Sequence, residues 1–172
     1  MTDDVHEAAE KERLIVAIEE AFSATPLPSA ITDCDCPWCS DLLAEFQGRP
    51  WLEIEDAKIA ANWTALASLS PEGFHYILPA YLRHSLKHFN LDSEVCEYTI
   101  YSLTPNAEMM KNPRISKSTY ARLKCFNRKQ VEVILQFLAL VSRDEELSDF
   151  HSEFEENVSR LKGLLKEVNL LD

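Results

Sequence analysis

The chain has 172 residues, 46% of them hydrophobic, with a formal net charge of −12 and a pI near 4.8. That length and apolar share suit one domain with a buried core. An acidic surface repels phosphate, which excludes general nucleic-acid binding, and no apolar run approaches the roughly 18 residues a membrane span requires.

Only three glycines occur, helical periodicity is long, and strand-like alternation is almost absent. These features predict an all-α protein: a single compact multi-helix domain with a long C-terminal helix. Residues 1–141 are read as the helical core. Residues 142–172 are read as an amphipathic helix, packed on that core or used in an interface. The N-terminus, MTDDVHEAAEKER, is acidic and has no apolar signal core, which predicts a cytoplasmic protein. Five cysteines in that compartment would be reduced, metal-bound or redox-active rather than paired in structural disulfides.

In chain order, His6 to Ala24 reads as a first helix with Leu14, Ile15, Ile18 and Phe22 on one face. Thr25 to Ile31 is a proline-bearing loop, and Thr32 to Ser40 is a cysteine cluster. Asp41 to Gln47 reads as a short helix stopped by Gly48. Pro50 and Trp51 turn the chain. Glu53 to Leu69 is helical by composition, with Ile54, Ile59, Trp63 and Leu66 inward, and Glu53, Glu55 and Asp56 a solvated first turn.

Leu69 to Phe89 is the central stretch. Ser70 is placed as N-cap, Pro71 at the first helical position and Glu72 where the dipole favours an acid. Phe74, Ile77, Leu78, Tyr81, Leu82, Ser85, Leu86 and Phe89 form a wide stripe, so other helices should pack around this one. Pro79 should bend it near His75 to Leu78. Asp92 or Ser93 caps a further helix through Leu103, and Thr104 to Ser118 reads as a long polar loop. Thr119 to Cys125 reads as a short helical turn, and Asn127 caps an apolar helix through Val141. From Glu145 to Leu170, Leu147, Phe150, Phe154, Val158, Leu161, Leu165 and Val168 step by three or four, close to a heptad seam. It would dock on its own domain or form a homodimer or partner seam.

Charge is patterned too. Lys111, Arg114, Lys117, Arg122, Lys124, Arg128 and Lys129 face no acid between Met109 and Val131, whereas Asp144, Glu145, Glu146, Asp149, Glu153, Glu155 and Glu156 crowd together. Solvated faces explain this, as single surface ion pairs are weak. Partner-facing surfaces are the alternative.

The chemistry-bearing candidate is Cys34-Asp35-Cys36-Pro37-Trp38-Cys39. A Cys-x-x-Cys knuckle lets two sulfurs share one tetrahedral ion, and a third at Cys-x-Cys spacing can join, so Cys34, Cys36 and Cys39 are candidate ligands for zinc. A fourth ligand would be Asp33, Asp35, water or a remote His6, His75, His84 or His88. A redox site is the second reading, because Cys36-Pro-Trp-Cys39 resembles the glutaredoxin Cys-Pro-aromatic-Cys pattern. No βαβ framework surrounds it and Cys34 is extra. Unliganded thiols are the third reading. Cys96 and Cys125 read as small core residues. His84 and His88 share a helical face and could pair on a metal, but Ser85 stands where a zincin would carry its Glu, so they read as exposed surface histidines.

Asp41 to Trp51 (DLLAEFQGRPW), Leu69 to Lys87 (LSPEGFHYILPAYLRHSLK), Asp92-Ser93-Glu94-Val95 and Phe126 to Val141 (FNRKQVEVILQFLALV) together resemble a family of small bacterial proteins of unknown function. The resemblance covers about Ala17 to Val141. It implies a bacterial, cytoplasmic, helical protein, with Cys36 and Cys39 matching the family's Cys-x-x-Cys and Cys34 standing where a His or Cys is expected. The region from Ser142 onward lies outside it. No activity comes with the resemblance. No Ser/His/Asp arrangement or Gly-rich phosphate loop is present. The chain therefore reads as a non-enzymatic protein–protein interaction module, zinc-stabilised, with immunity- or antitoxin-like binding of a basic partner as one concrete form. An open-site zinc or thiol-redox enzyme using the three cysteines is the alternative, and a structural homo-oligomer through the C-terminal helix the third.

Overall fold

The computed structural model describes residues 2–88, 93–143 and 151–172. Among them all regular structure is helical, as expected, with no strand. The helices are α1 (Thr2–Phe22), α2 (Pro37–Phe46), α3 (Asp56–Ala61), α4 (Pro71–Lys87), α5 (Ser93–Leu103), α6 (Ala107–Met110), α7 (Pro113–Leu123), α8 (Arg128–Val141) and α9 (His151–Glu167), with 3-10 turns at Trp51–Glu53 and Ala65–Ser68. The chain divides into two units, Met1–Thr99 and Ile100–Asp172.

The first unit is built on α4. Ser70 caps it, its hydroxyl accepting from Gly73 N–H at 3.0 Å, and Pro71 opens it. The helix is continuous through Pro79. Phe74, Ile77, Leu78, Tyr81 and Leu82 are fully buried, each contributing about 1.5–3 kcal/mol from apolar burial before chain entropy is charged against it. The inward face of α1 is as expected: Leu14, Ile15, Ile18 and Phe22 are buried. Phe89 and Asp92, assigned above to the central stripe and the next cap, lie outside the described residues.

The segment from Arg49 to Asn62 lies along α4 and is tied to it at points two turns apart. Tyr76 Oη donates to the Arg49 carbonyl at 3.3 Å, and Arg83 Nη1 to the Leu52 carbonyl at 3.2 Å. Tyr81 Oη donates to the Asn62 carbonyl at 2.6 Å, and His88 meets Asp56. The pairs Tyr76/Arg83 and Tyr81/His88 are seven apart, so each shares a helix face. Arg83 also pairs with Glu19 of α1 at 3.2 Å and stands over the Trp51 ring.

Glu53 to Leu69 is not the continuous helix expected. It breaks at Asn62, whose side chain donates to the Lys58 carbonyl at 2.9 Å and whose own carbonyl accepts from Ala65 N–H. That local bonding competes with helix propagation. Ile54, Ile59 and Leu66 are inward as read, while Trp63 is half-buried and meets Tyr98 edge-on at 4.5 Å.

In the second unit, α8 follows the expected design. The Asn127 side chain accepts from Gln130 N–H and the Gln130 side chain accepts from Asn127 N–H, both at 3.0 Å, a capping box. The long polar loop over Thr104 to Ser118 is a correction, since α6 and α7 occupy most of it. Asn106 accepts from Met109 N–H, Asn112 accepts from Arg114 N–H, and Pro113 takes the first helical position. α9 docks on residues of its own unit: Leu161, Leu164 and Leu165 are buried, Tyr120 donates to the Glu167 carboxylate, and Arg128 bonds Asp172 at 3.2 Å. Leu147, Phe150 and the acids Asp144, Glu145, Glu146 and Asp149 lie outside the described residues.

Candidate functional site

The segment entering the cysteine cluster is held by backbone-directed bonds. Gln47, the C-cap of α2, accepts from Ile31 N–H at 3.1 Å and donates to the carbonyls of Pro28 and Ser29 at 3.3 Å. The Ile31 carbonyl in turn accepts from Ser70 N–H at 2.8 Å. This fixes the chain just before Cys34.

The helix after it starts earlier than the expected Asp41. Cys36 is the N-cap of α2 and Pro37 its first residue, because the residue before proline is driven extended and proline suits that first position. Cys39 therefore lies one turn inside α2, on its buried face with Leu42 and Phe46. Cys34 and Cys36 are exposed, and Cys39 is 2% exposed.

The three Sγ atoms lie within 4.8 Å of one another. Tetrahedral zinc with Zn–S near 2.3 Å needs sulfurs about 3.8 Å apart, so a shift of roughly 1 Å at most completes the arrangement. Cys36 N–H donates to Cys34 Sγ at 3.3 Å. The Cys36 thiol is lowered, chiefly by a hydrogen bond from Cys34 and then by the Cys39 backbone N–H. Cys39 is pushed up to about 12, first by its hydrogen bond with Cys34 and then by burial.

The remote histidines considered as a fourth ligand do not join this group. The His75 ring lies 6.0 Å from that of Phe22. His84 and His88 belong to a second cluster, with Asp56, whose ligand atoms also lie within 4.8 Å of one another. His88 Nε2 is 3.0 Å from Asp56 Oδ2, and His84 Nδ1 is 3.7 Å from Asp56 Oδ1. The imidazole rings are 4.6 Å apart. His84 is 3% exposed, so its assignment as a surface histidine is corrected: α4 is covered on nearly all sides. Asp56 is also more than a solvated first-turn acid. Burial opposes its ionisation, but the His88 bond, with Lys87 and His84 nearby, outweighs this and holds the carboxyl below its ordinary value. The His84/His88 spacing was the signal in the sequence, and the third member comes only from the packing of α3 on α4.

A model of a family of unknown function, DUF6714, matches residues 40–160. The chain belongs to this family. No curated protein and no solved structure matches it. The DUF6714 span opens at Ser40, just after Cys39, so the thiol cluster precedes it while Asp56, His84 and His88 all lie within it. It also runs past Val141 to Arg160, so part of the tail read as outside the family resemblance is inside the family span. Among the described residues no helix is long and apolar enough to cross a membrane.

Proposed function

We propose that this chain is a metal-stabilised binding module. Cys34, Cys36 and Cys39 hold a zinc ion whose fourth position is filled by water or by a group from outside the cluster. The knuckle so formed is the surface offered to a basic protein. The carrying observation is the convergence of three sulfurs next to an exposed aromatic in the chain: Trp38, between Cys36 and Cys39 in the sequence, is 42% exposed. Asp33, Asp35 and Asp41 surround it in the sequence and are exposed as well. Aromatic side chains are favoured anchors in interfaces, and surrounding charge of one sign selects a partner of the other. A net charge of −12 agrees with that choice, and immunity- or antitoxin-like binding is one form of it.

The test is capture from native lysate at low salt with the zinc-loaded chain and with Trp38→Ala. A stoichiometric basic partner, lost in Trp38→Ala and released as salt rises, supports the reading. Equal capture by both chains, or none, removes the interaction role.

A second reading is favoured by Cys36 at the start of α2 with a lowered thiol and Cys39 one turn on. Cys36 thiolate would attack a substrate disulfide and release one of its sulfurs as a thiol. Cys39 would then attack the mixed disulfide, leaving a Cys36–Cys39 disulfide and a fully reduced substrate. Metal-free chains that form this disulfide on mild oxidation would move the assignment to thiol exchange. Chains that bind zinc and resist oxidation would exclude it.

A further inference from the structure

We infer that Asp56, His84 and His88 form a second metal site, for a divalent first-row ion of the zinc or ferrous type, separate from the three cysteines. Two imidazoles and one carboxylate are a donor set of intermediate softness, suited to zinc, iron or nickel rather than to calcium or magnesium. Three protein ligands leave positions for water or a small anionic ligand, the arrangement of reactive rather than closed structural sites.

The geometry carries the assignment. A ligand shell with bonds near 2.1 Å places donors about 3.0–3.4 Å apart. The His88–Asp56 contact already stands at 3.0 Å, and one donor from each residue lies within 4.8 Å of the others. His84 and His88 are one turn apart at the C-terminal end of α4, where the helix dipole favours a cation. Asp56 comes from α3 and keeps 42% of its side chain exposed, whereas the His84 side chain keeps 4%, so the cluster has one buried wall and one accessible side. The α3 segment is pinned on α4 by the Tyr81–Asn62 and Arg83–Leu52 bonds, so the three donors are positioned without a metal. Pre-positioned donors are what a metal site built into a fold requires.

The inference does not depend on the thiol site, and the experiment separates the two. Zinc is titrated into the full-length, reduced, metal-free chain, with calorimetric stoichiometry and nitrogen-15 spectra of the histidine rings followed together. Movement of the His84 and His88 ring nitrogens while His75 stays in place is the expected result. Calorimetry should count one more equivalent in the wild type than in His88→Ala or Asp56→Asn. Loss of the thiol site alone would lower every count by one and leave this difference intact. Ring signals of His84 and His88 that do not respond to saturating zinc would overturn the proposal, and that reading needs no variant to fold. Equal stoichiometry in wild type and in folded variants would overturn it as well.

Discussion

A Cβ added to Gly73 would sit 2.1 Å from the carbonyl oxygen of Ile31. The first turn of α4 and the segment leading to the cysteines therefore meet backbone to backbone. Ala is the better helix former by about 1 kcal/mol, so on propensity alone Gly73→Ala should stabilise. The contact is with backbone and cannot be relieved by a rotamer change. We expect Gly73→Ala to lose about 1–3 kcal/mol, the usual cost of overpacking. Gly163, in α9, has nothing within 4 Å of the same position, so Gly163→Ala should gain about 0.5–1 kcal/mol. Urea denaturation of both variants reads the contrast, and a gain in each would show that the α4 contact is absent.

The parts of the fold legible in sequence are those decided locally. Ser70-Pro71 and Asn127 with Gln130 carry their capping chemistry within four residues, and the apolar stripe of α1 matches its buried set. α6 and the first half of α7 do not show for the opposite reason, whereas the helical turn expected from Thr119 closes α7 at Leu123. α6 buries no side chain and α7 buries only Leu123, so periodicity had almost nothing to report. Their Asn106 and Asn112 caps were the available signal. The thiol cluster was legible because its ligands are contiguous. The Asp56–His84–His88 cluster was not, because α3 must first be laid on α4. A helix buried nearly all round also gives no polar face on which to place His84.

Tyr81 offers a test of how the Arg49–Asn62 segment is held. Its ring is fully buried and its hydroxyl donates to the Asn62 carbonyl at 2.6 Å. Tyr81→Phe keeps the ring and removes the bond. The carbonyl retains Ala65 N–H, so the expected loss is about 0.5–1.5 kcal/mol in chemical denaturation. A neutral result would mean that the bond does not fasten this segment.

The capping box of α8 should be worth about 1 kcal/mol, so Asn127→Ala should lower stability by that amount. Asn127→Asp should lose much less, since it restores the acceptor. Thermal melts of the pair check this, and equal losses would assign the effect to something other than the cap.

In the metal-free chain the two thiols of the knuckle should react in a fixed order. Cys36 is lowered by hydrogen bonds from Cys34 and the Cys39 backbone, so its thiolate is present at lower pH than that of an ordinary cysteine. Cys39, pushed up to about 12 by Cys34 and by burial, stays protonated through neutral pH. Iodoacetamide labelling followed by peptide mapping across the neutral range should therefore modify Cys36 before Cys39. Earlier labelling of Cys39 would contradict the arrangement of the cluster.

The most direct measurement of the metal-stabilised knuckle is native mass spectrometry of the full chain, purified under reducing conditions without chelator, beside Cys36→Ser. The account predicts a zinc ion on the wild-type chain that is missing from the variant. The mass of the loaded species should show the protons released when thiols become ligands. A wild-type chain that stays metal-free after exposure to zinc, or a variant that carries as much zinc as the wild type, would contradict it.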